Sequence, residues 1–296
     1  MGEHVYELIV VSYRSRIQLE QMLATIPEDQ PVAVIDNARG VDHVEELLAD
    51  RPHARYLDSG GDAGYAKAAN LGARTSTYPF LVFASPDGRP DIDVYAALTE
   101  QLEADATIGS CAAGSVDGNG DMGFVGGWEP TLRRTLVQAV GAHHLFPKAG
   151  VWYRPRRGEV AELDWLGGES LTVRRDRFLE LGGFDDRYFL YNEDMGLGRR
   201  MREAGLRQLL RGDLQLTHLA GGSGAPSAFM LRHRGASMTA YLRDHNGPVR
   251  ARLMQATIAL GTVGRLVKSL LTGRPQRALE YIAYLRGLSF GRGALS

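Results

Sequence analysis

Four acidic side chains and a histidine stand where chemistry is easily built, at the ends of expected strands or the start of an expected helix. Asp36 and Asn37 follow the apolar run Val32–Ile35. A carboxylate beside a carboxamide can hold a ribose or a base, since together they present donors and acceptors. The same pair is also ordinary turn chemistry. Asp87, in Ser85-Pro86-Asp87, follows Phe80–Ala84 (FLVFA). It offers a hard oxygen ligand to Mg²⁺ or Mn²⁺, which take one or two carboxylates together with substrate phosphates, while Ser-Pro-Asp-Gly equally spells a type I turn. Glu193 and Asp194 open a helical segment. Acids there are favoured by the helix dipole, and one positioned carboxylate can remove the proton of an attacking hydroxyl. Phe189 and Tyr191, just ahead of the pair, suit a wall for a sugar ring. His218 closes an apolar run ahead of Gly221-Gly222-Ser223-Gly224. That placement suits a structural histidine and a metal ligand equally.

A fifth cluster is a loop, Gly60-Gly61-Asp62-Ala63-Gly64, running into a helix that carries Lys67 and Asn70. Glycines let a backbone approach a ligand closely. The helix start and Lys67 together would favour a bound anion. A plain strand-to-helix turn would read the same way, except that Asn70 is a poor choice inside a helix on propensity alone.

The elements needed to position these groups are legible. Glu7–Ser12, Val32–Ile35, Ala54–Leu57 and Phe80–Ala84 read as strands, separated by helical spacing over Arg16–Ile26, Val41–Ala49 and Tyr65–Arg74. Strand-helix alternation predicts a doubly wound, mostly parallel sheet, in which ligands bind beyond the carboxyl ends of the strands. Asp36, Asn37 and Asp87 fall at those ends. Further on, Ile92–Ala104 reads as a helix and Ile108–Ala113 as a strand; Asp117–Gly127 reads as a turn region and His143–Val160 as a long loop. Leu171–Val173 then forms a short strand, Arg175–Leu181 a helical turn, and Met195–Ala204 a helix stopped by Gly205. Leu206–Leu210 and Leu214–His218 read as two closing strands. Three segments are expected: 1–110 for a nucleotide, 111–231 for an acceptor and catalysis, and 232–296 as amphipathic basic helices.

Composition narrows the class. The chain has 296 residues, 44% of them hydrophobic, and a net charge of −1. That balance speaks against a nucleic-acid binder. The single cysteine, Cys111, permits no internal disulfide. With no signal peptide and no long apolar run, a cytoplasmic place is expected. From Gly247 onward eight basic residues face only Glu280, a net +7 that leaves −8 on the remainder. Basic amphipathic helices lie on anionic bilayers, which predicts peripheral contact at the inner face of the cell membrane. The same helices read equally as core cover or a homodimer seam.

Taken in order, ELIVVSYRS, VIDNA, SGGDAGYAKAANLGA, FASPDGRPD, WLGGESLTVRRDRFLELGGFDDRYFLYNEDMGLGRRMREAG and LTHLAGGS resemble the inverting glycosyltransferases of family 2. The match runs from about Leu8 to about His218. It implies the GT-A fold: α/β, with a Rossmann-like, mostly parallel sheet flanked by helices and here a C-terminal helical tail. Within the family, the chain looks most like bacterial rhamnosyltransferases that use dTDP-rhamnose; a UDP-sugar such as UDP-galactofuranose remains an alternative donor. The resemblance implies that Ser12, Tyr13, Asp36, Asn37, Gly64, Lys67, Asn70 and Ser85 serve the nucleotide. Asp87 and His218 would hold the metal, Mg²⁺ or Mn²⁺. Asp194 would be the base, oriented with Glu193, and Trp165, Gly167, Gly168, Glu169 and Tyr191 would face a glycan or lipid-linked acceptor. The chain departs from the pattern at Ser85, where the first acid of the metal motif is expected, and at Arg14 and Asp62, where Asn is usual. Two other readings stay open, a non-catalytic nucleotide-sugar-binding protein and a nucleotidyltransferase.

Overall fold

The computed structural model describes residues 4–167, 170–218 and 227–290. Its strands are β1 (Tyr6–Ser12), β2 (Val32–Asp36), β3 (Ala54–Asp58), β4 (Phe80–Ala84), β5 (Gly88–Arg89), β6 (Ile108–Val116), β7 (Gly126–Gly127), β8 (Trp152–Tyr153), β9 (Val160–Leu163), β10 (Trp165–Leu166), β11 (Ser170–Arg174) and β12 (Arg207–His218). Its α-helices are α1 (Arg16–Leu23), α2 (Tyr65–Thr75), α3 (Ile92–Ala104), α4 (Leu132–Ala139), α5 (Arg175–Glu180), α6 (Glu193–Glu203), α7 (Ala228–His245), α8 (Pro248–Leu271) and α9 (Pro275–Phe290).

Two compact units interleave along the chain. The first comprises Met1–Gly126, Arg154–Arg187 and Glu193–Ser223; the second comprises Gly127–Tyr153, Tyr188–Asn192 and Gly224–Ser296.

The first unit is built on one sheet of order β3-β2-β1-β4-β11-β6-β12-β5, with β9 beside β12. β2 and β4 are buried along their whole length, as strands covered on both faces must be. β1 to β4 run parallel, in register at Ser12, Asp36 and Asp58, so their carboxyl ends form one edge. β11, foreseen only as a short strand, sits in the middle of the sheet, antiparallel to both β4 and β6. Its Leu171, Thr172 and Val173 are almost wholly buried. The two expected closing strands are one, β12. Its register against β6 slips between Arg211 and Gln215, where Gly212 bonds the carbonyl of Glu159 at 3.0 Å. The helix expected over Val41–Ala49 is only a 3₁₀ turn, Val44–Leu48, entered through a left-handed His43. α1 stops at Leu23, short of Ile26, with Pro27 following.

The second unit is helical. α7 and α9 cross where a Cβ on Gly287 would lie 1.9 Å from the carbonyl oxygen of Arg232, and one on Gly235 2.3 Å from that of Tyr284. α4 and α8 meet in the same way, at Ala139 and Gly261. α8 buries Ala251, Met254, Ile258, Thr262 and Ser269 on one face. Its opposite face is also apolar, exposing Val249, Leu253, Leu260, Val263, Val267 and Leu270. No helix among the described residues is long and apolar enough to cross a membrane.

Candidate functional site

At the carboxyl edge of the sheet, the predicted residues fall into those that present chemistry and those that hold the scaffold. Asp36 is buried, and its carboxylate accepts from the amides of Ala38 (2.7 Å) and Gly40 (2.6 Å) and from the Tyr56 hydroxyl (2.9 Å). Burial first, and then this bond to Asp36, push the Tyr56 hydroxyl up to about 12. Asp36 thus shapes the turn after β2. Asn37, also buried, accepts from Ser59 Oγ (2.7 Å) and from the Ala63 amide (2.9 Å). This ties the glycine loop to the end of β2. Within the loop, Gly60, Gly61 and Gly64 adopt positive φ of 81°, 129° and 81°. A Cβ on Gly61 would meet Arg39, whose Nε donates to the Gly60 carbonyl at 3.1 Å. Gly64 caps α2, and Lys67 is exposed in its first turn. A cation at that end opposes the helix dipole unless an anion joins it.

Asn70 explains itself differently from the expectation. Its Nδ2 donates to the Phe184 carbonyl (2.7 Å), and its Oδ1 accepts from the Phe184 amide (2.8 Å). Both halves of the carboxamide are committed, so the correction is that Asn70 anchors the Gly182–Asp185 turn and does not reach outward. Gly183 takes φ +68° there, and a Cβ on it would lie 2.4 Å from Asn70 Oδ1. Ser12 is buried and bonds Ser15 through the two hydroxyls (3.0 Å), whereas Tyr13 is 45% exposed.

Beyond β4, the Ser85 hydroxyl donates to Asp87 Oδ1. β5 then pairs with β12, Gly88 opposite His218 and Arg89 opposite Thr217. The backbone therefore places Asp87, the turn residue just before β5, one position from the partner of His218. The His218 side chain lies outside the described residues, as do Gly168 and Glu169. A small pocket beside this pairing is lined by Ser85, Gly88, Tyr95, Ser170 and Thr217. A carboxylate and an imidazole together suit Mn²⁺ or Mg²⁺ once phosphate oxygens join them. Among the described residues no cluster of three or more His, Cys, Asp or Glu side chains could hold a metal alone. This donor set fits a cation that arrives with its diphosphate.

The acidic pair opens α6. Glu193 is 7% exposed, and its Oε2 has no hydrogen-bond partner. Burial first, and then the charge of Asp194, push its carboxyl up to about 8. Asp194 is partly exposed and accepts from the Met195 amide at 2.7 Å. Gly167 lies beside it: a Cβ there would stand 4.0 Å from Asp194 Oδ2 and 3.1 Å from the Val125 carbonyl oxygen. The tight neighbour of this position is the Val125 carbonyl; the carboxylate stands at ordinary contact distance. Trp165 is 6% exposed under α6, where a Cβ on Gly198 would come within 2.7 Å of it, so it supports the helix.

In the second unit, the five residues before the acidic pair are held by α7. His233 stacks on Phe189 at 4.5 Å. Ser237 donates to the Leu190 carbonyl at 2.8 Å, and Tyr241 packs against Tyr188. Tyr191 and Asn192 are both left-handed, with φ of 68° and 70°. Two adjacent non-glycine residues in that region carry strain that the surroundings must sustain. This grip was not foreseen, although the spacing 233, 237, 241 along one helix face was present in the sequence.

No family model matches the chain. A curated relative, N-acetylglucosaminyl-diphospho-decaprenol L-rhamnosyltransferase of Mycobacterium tuberculosis, is 30% identical over a 306-residue alignment that covers 94% of this chain and 98% of the relative. Among solved structures, the mannosyltransferase PcManGT from Pyrobaculum calidifontis, in complex with GDP-Man and Mn²⁺, superposes with a TM-score of 0.57 at 18% identity, covering 98% of this chain and 85% of the other. S. aureus TarS (residues 1–349) gives a TM-score of 0.54 at 11% identity, over 97% and 91% of the two chains.

Proposed function

The chain belongs to the family 2 glycosyltransferases with the GT-A fold, and from that premise we propose that it transfers L-rhamnose from dTDP-rhamnose to the GlcNAc of a lipid-linked diphosphate, with inversion. The observation that carries the rhamnosyl group and the acceptor is the 30% identity, sustained over 94% of the chain, to a relative whose name states both; the dTDP carrier rests on the sequence resemblance alone.

In this reading the glycine loop and the first turn of α2 receive the nucleotide diphosphate, with Lys67 supplying a cation beside it. Asp87 and His218 would hold a divalent ion, whose charge would offset that of the leaving diphosphate. Asp194 takes the proton from the acceptor hydroxyl as that oxygen attacks the anomeric carbon from the face opposite the diphosphate. Burial, and then the charge of Asp194, raise the Glu193 carboxyl, which favours the protonated form of Glu193 beside Asp194.

Asp194→Asn tests the assignment. Transfer from dTDP-rhamnose to a GlcNAc-diphosphate acceptor should fall by about 10²–10⁴, the usual contribution of a general base, while dTDP binding by calorimetry stays unchanged. Near-normal turnover would remove Asp194 from the role. Wild-type activity with UDP-galactofuranose and none with dTDP-rhamnose would overturn the donor.

A lipid-linked acceptor places the enzyme at a membrane surface, and the outward apolar face of α8, flanked by Arg250, Arg252 and Lys268, is the contact we infer. Leu260→Asp combined with Val267→Asp should abolish flotation with vesicles rich in anionic lipid. If flotation persists and the variant instead changes oligomeric state by light scattering, the face belongs to a dimer.

A further inference from the structure

The near-neutral chain conceals a strongly basic second unit. That unit holds fourteen arginines and lysines against three acids, Glu129, Asp244 and Glu280, a net +11 that leaves −12 on the first unit. No acid occurs in 130–153 or in 245–271. Those two stretches hold α4, the turn after it and α8, and they carry seven of the basic residues.

The same elements expose apolar side chains. On α4 and its C-cap, Leu132, Leu136 and Val140 recur every four residues and so share a face. The turn after α4 adds Leu145 and Phe146, 79% and 64% exposed. That turn is tied down. The amides of Leu145 and Phe146 donate to the Ala142 carbonyl (3.1 and 3.0 Å), Arg134 donates to the carbonyls of Lys148 and Gly150, and the Val151 amide donates to Gln138. A bonded frame therefore holds the two side chains outward. Ala139, next to Val140, packs on Gly261, next to Leu260. The α4 stripe thus runs on into the outward apolar face of α8. A contiguous apolar surface with a polar rim marks an interaction site.

The charge selects the occupant. A twofold contact pairs a surface with itself, so a second copy would bring seven basic residues against seven, with no acid in either set. An anionic bilayer offers phosphates to the rim and acyl chains to the apolar side chains. We propose that α4 and the Leu145-Phe146 tip are the inserting part of a surface that docks on anionic lipid. Leu145 and Phe146 pass below the headgroups, and Arg133 and Lys148 stay among them. The proposal rests on the membrane contact inferred above for α8, and extends it from a helix lying on the surface to a tip that penetrates it. It holds whichever sugar is transferred.

Cys111 is the single cysteine and is wholly buried, so an exposed cysteine introduced elsewhere takes a thiol-reactive dye alone. Phe146→Cys carrying a polarity-sensitive fluorophore should shift its emission to the blue with vesicles of equal phosphatidylglycerol and phosphatidylcholine. With phosphatidylcholine alone it should stay unchanged. Neither vesicle contains a sugar acceptor, so the result is independent of the rhamnosyl reading. Leu145→Ser combined with Phe146→Ser, without the dye, should weaken partitioning to the anionic vesicles by at least about tenfold, at an unchanged Tm because both side chains are exposed. Flotation of the wild type with a silent dye at 146 overturns the penetrating tip and leaves the α8 contact standing. Absence of flotation overturns both. A blue shift that needs no vesicles and grows with protein concentration assigns the patch to a second copy and overturns the proposal, as does an equal shift with neutral vesicles.

Discussion

The sheet unit and the helical unit solve the same packing problem by opposite means. In the sheet unit, the strand ladder fixes the spacing, and polar groups are neutralised by one another: Glu7 is fully buried against Arg55, and Asn37 and Asn70 use their carboxamides to pin loops. In the helical unit, spacing is set by what is missing. The absent side chains of Gly235, Gly287 and Gly261 let backbones touch, and aromatic faces, in place of counter-charges, hold Arg234. The difference teaches where each unit keeps its chemistry. The first unit commits its polar groups to positioning and exposes a few, Asp194 among them. The second keeps a cation and an apolar helix face uncommitted.

The strongest way to break this comparison is Gly287→Ala. Inserting a Cβ 1.9 Å from a carbonyl oxygen must push α7 and α9 apart. A loss of about 3 kcal/mol or more is expected, at the upper end for overpacking, read as a shifted urea midpoint. A cost below that of a surface substitution would show that glycine contacts do not set the helical spacing. Next in size is Arg55→Ala, which leaves Glu7 buried without its cation. About 2–3 kcal/mol is expected, less than for a fully enclosed pair because Arg55 is itself 32% exposed. Arg55→Lys should recover part of it, and a neutral result for both would deny the sheet unit its dependence on paired charge.

The smallest effect sharpens the comparison through pH. Glu193 holds its proton to about pH 8 when folded, against an ordinary value of 4.5. Between those limits the folded state binds more protons than the unfolded one. Stability is therefore full below 4.5 and declines as pH rises towards 8. Glu193→Gln removes that slope: the wild-type Tm should fall by roughly 5 °C between pH 5 and 8 relative to the variant. Parallel curves would mean that Glu193 is not held neutral.

Much of the sheet unit was legible because its signals are local. Val32–Asp36 and Phe80–Ala84 are short apolar runs closed by turn residues, and the acids at their ends were found for that reason. What each acid does was less legible. Asp36 and Asn37 read as turn chemistry from the residues and as nucleotide contacts from the resemblance; their hydrogen bonds run to Ala38, Gly40, Ser59 and Ala63, partners that only the folded loop brings near. β11 read as a minor strand because five residues carry no mark of being central. The interleaving of the units was not legible at all: Tyr188–Asn192 joins α7 through contacts almost fifty residues apart, such as Ser237 to Leu190. Arg234 was hidden in an Arg- and His-rich stretch whose composition suggested only charge.

The slipped register of β12 sets a rule for how this edge tolerates insertions and deletions. Four steps along β12, from Arg211 to Gln215, match a single step along β6, from Ala113 to Gly114. The surplus is three residues. Residues 212–214 have no partner on β6, so a length change confined to the slip leaves Leu216 opposite Ser115 and facing the core. Length changes should collect between Arg211 and Gln215, leaving in register the short stretch that meets Gly88 and Arg89.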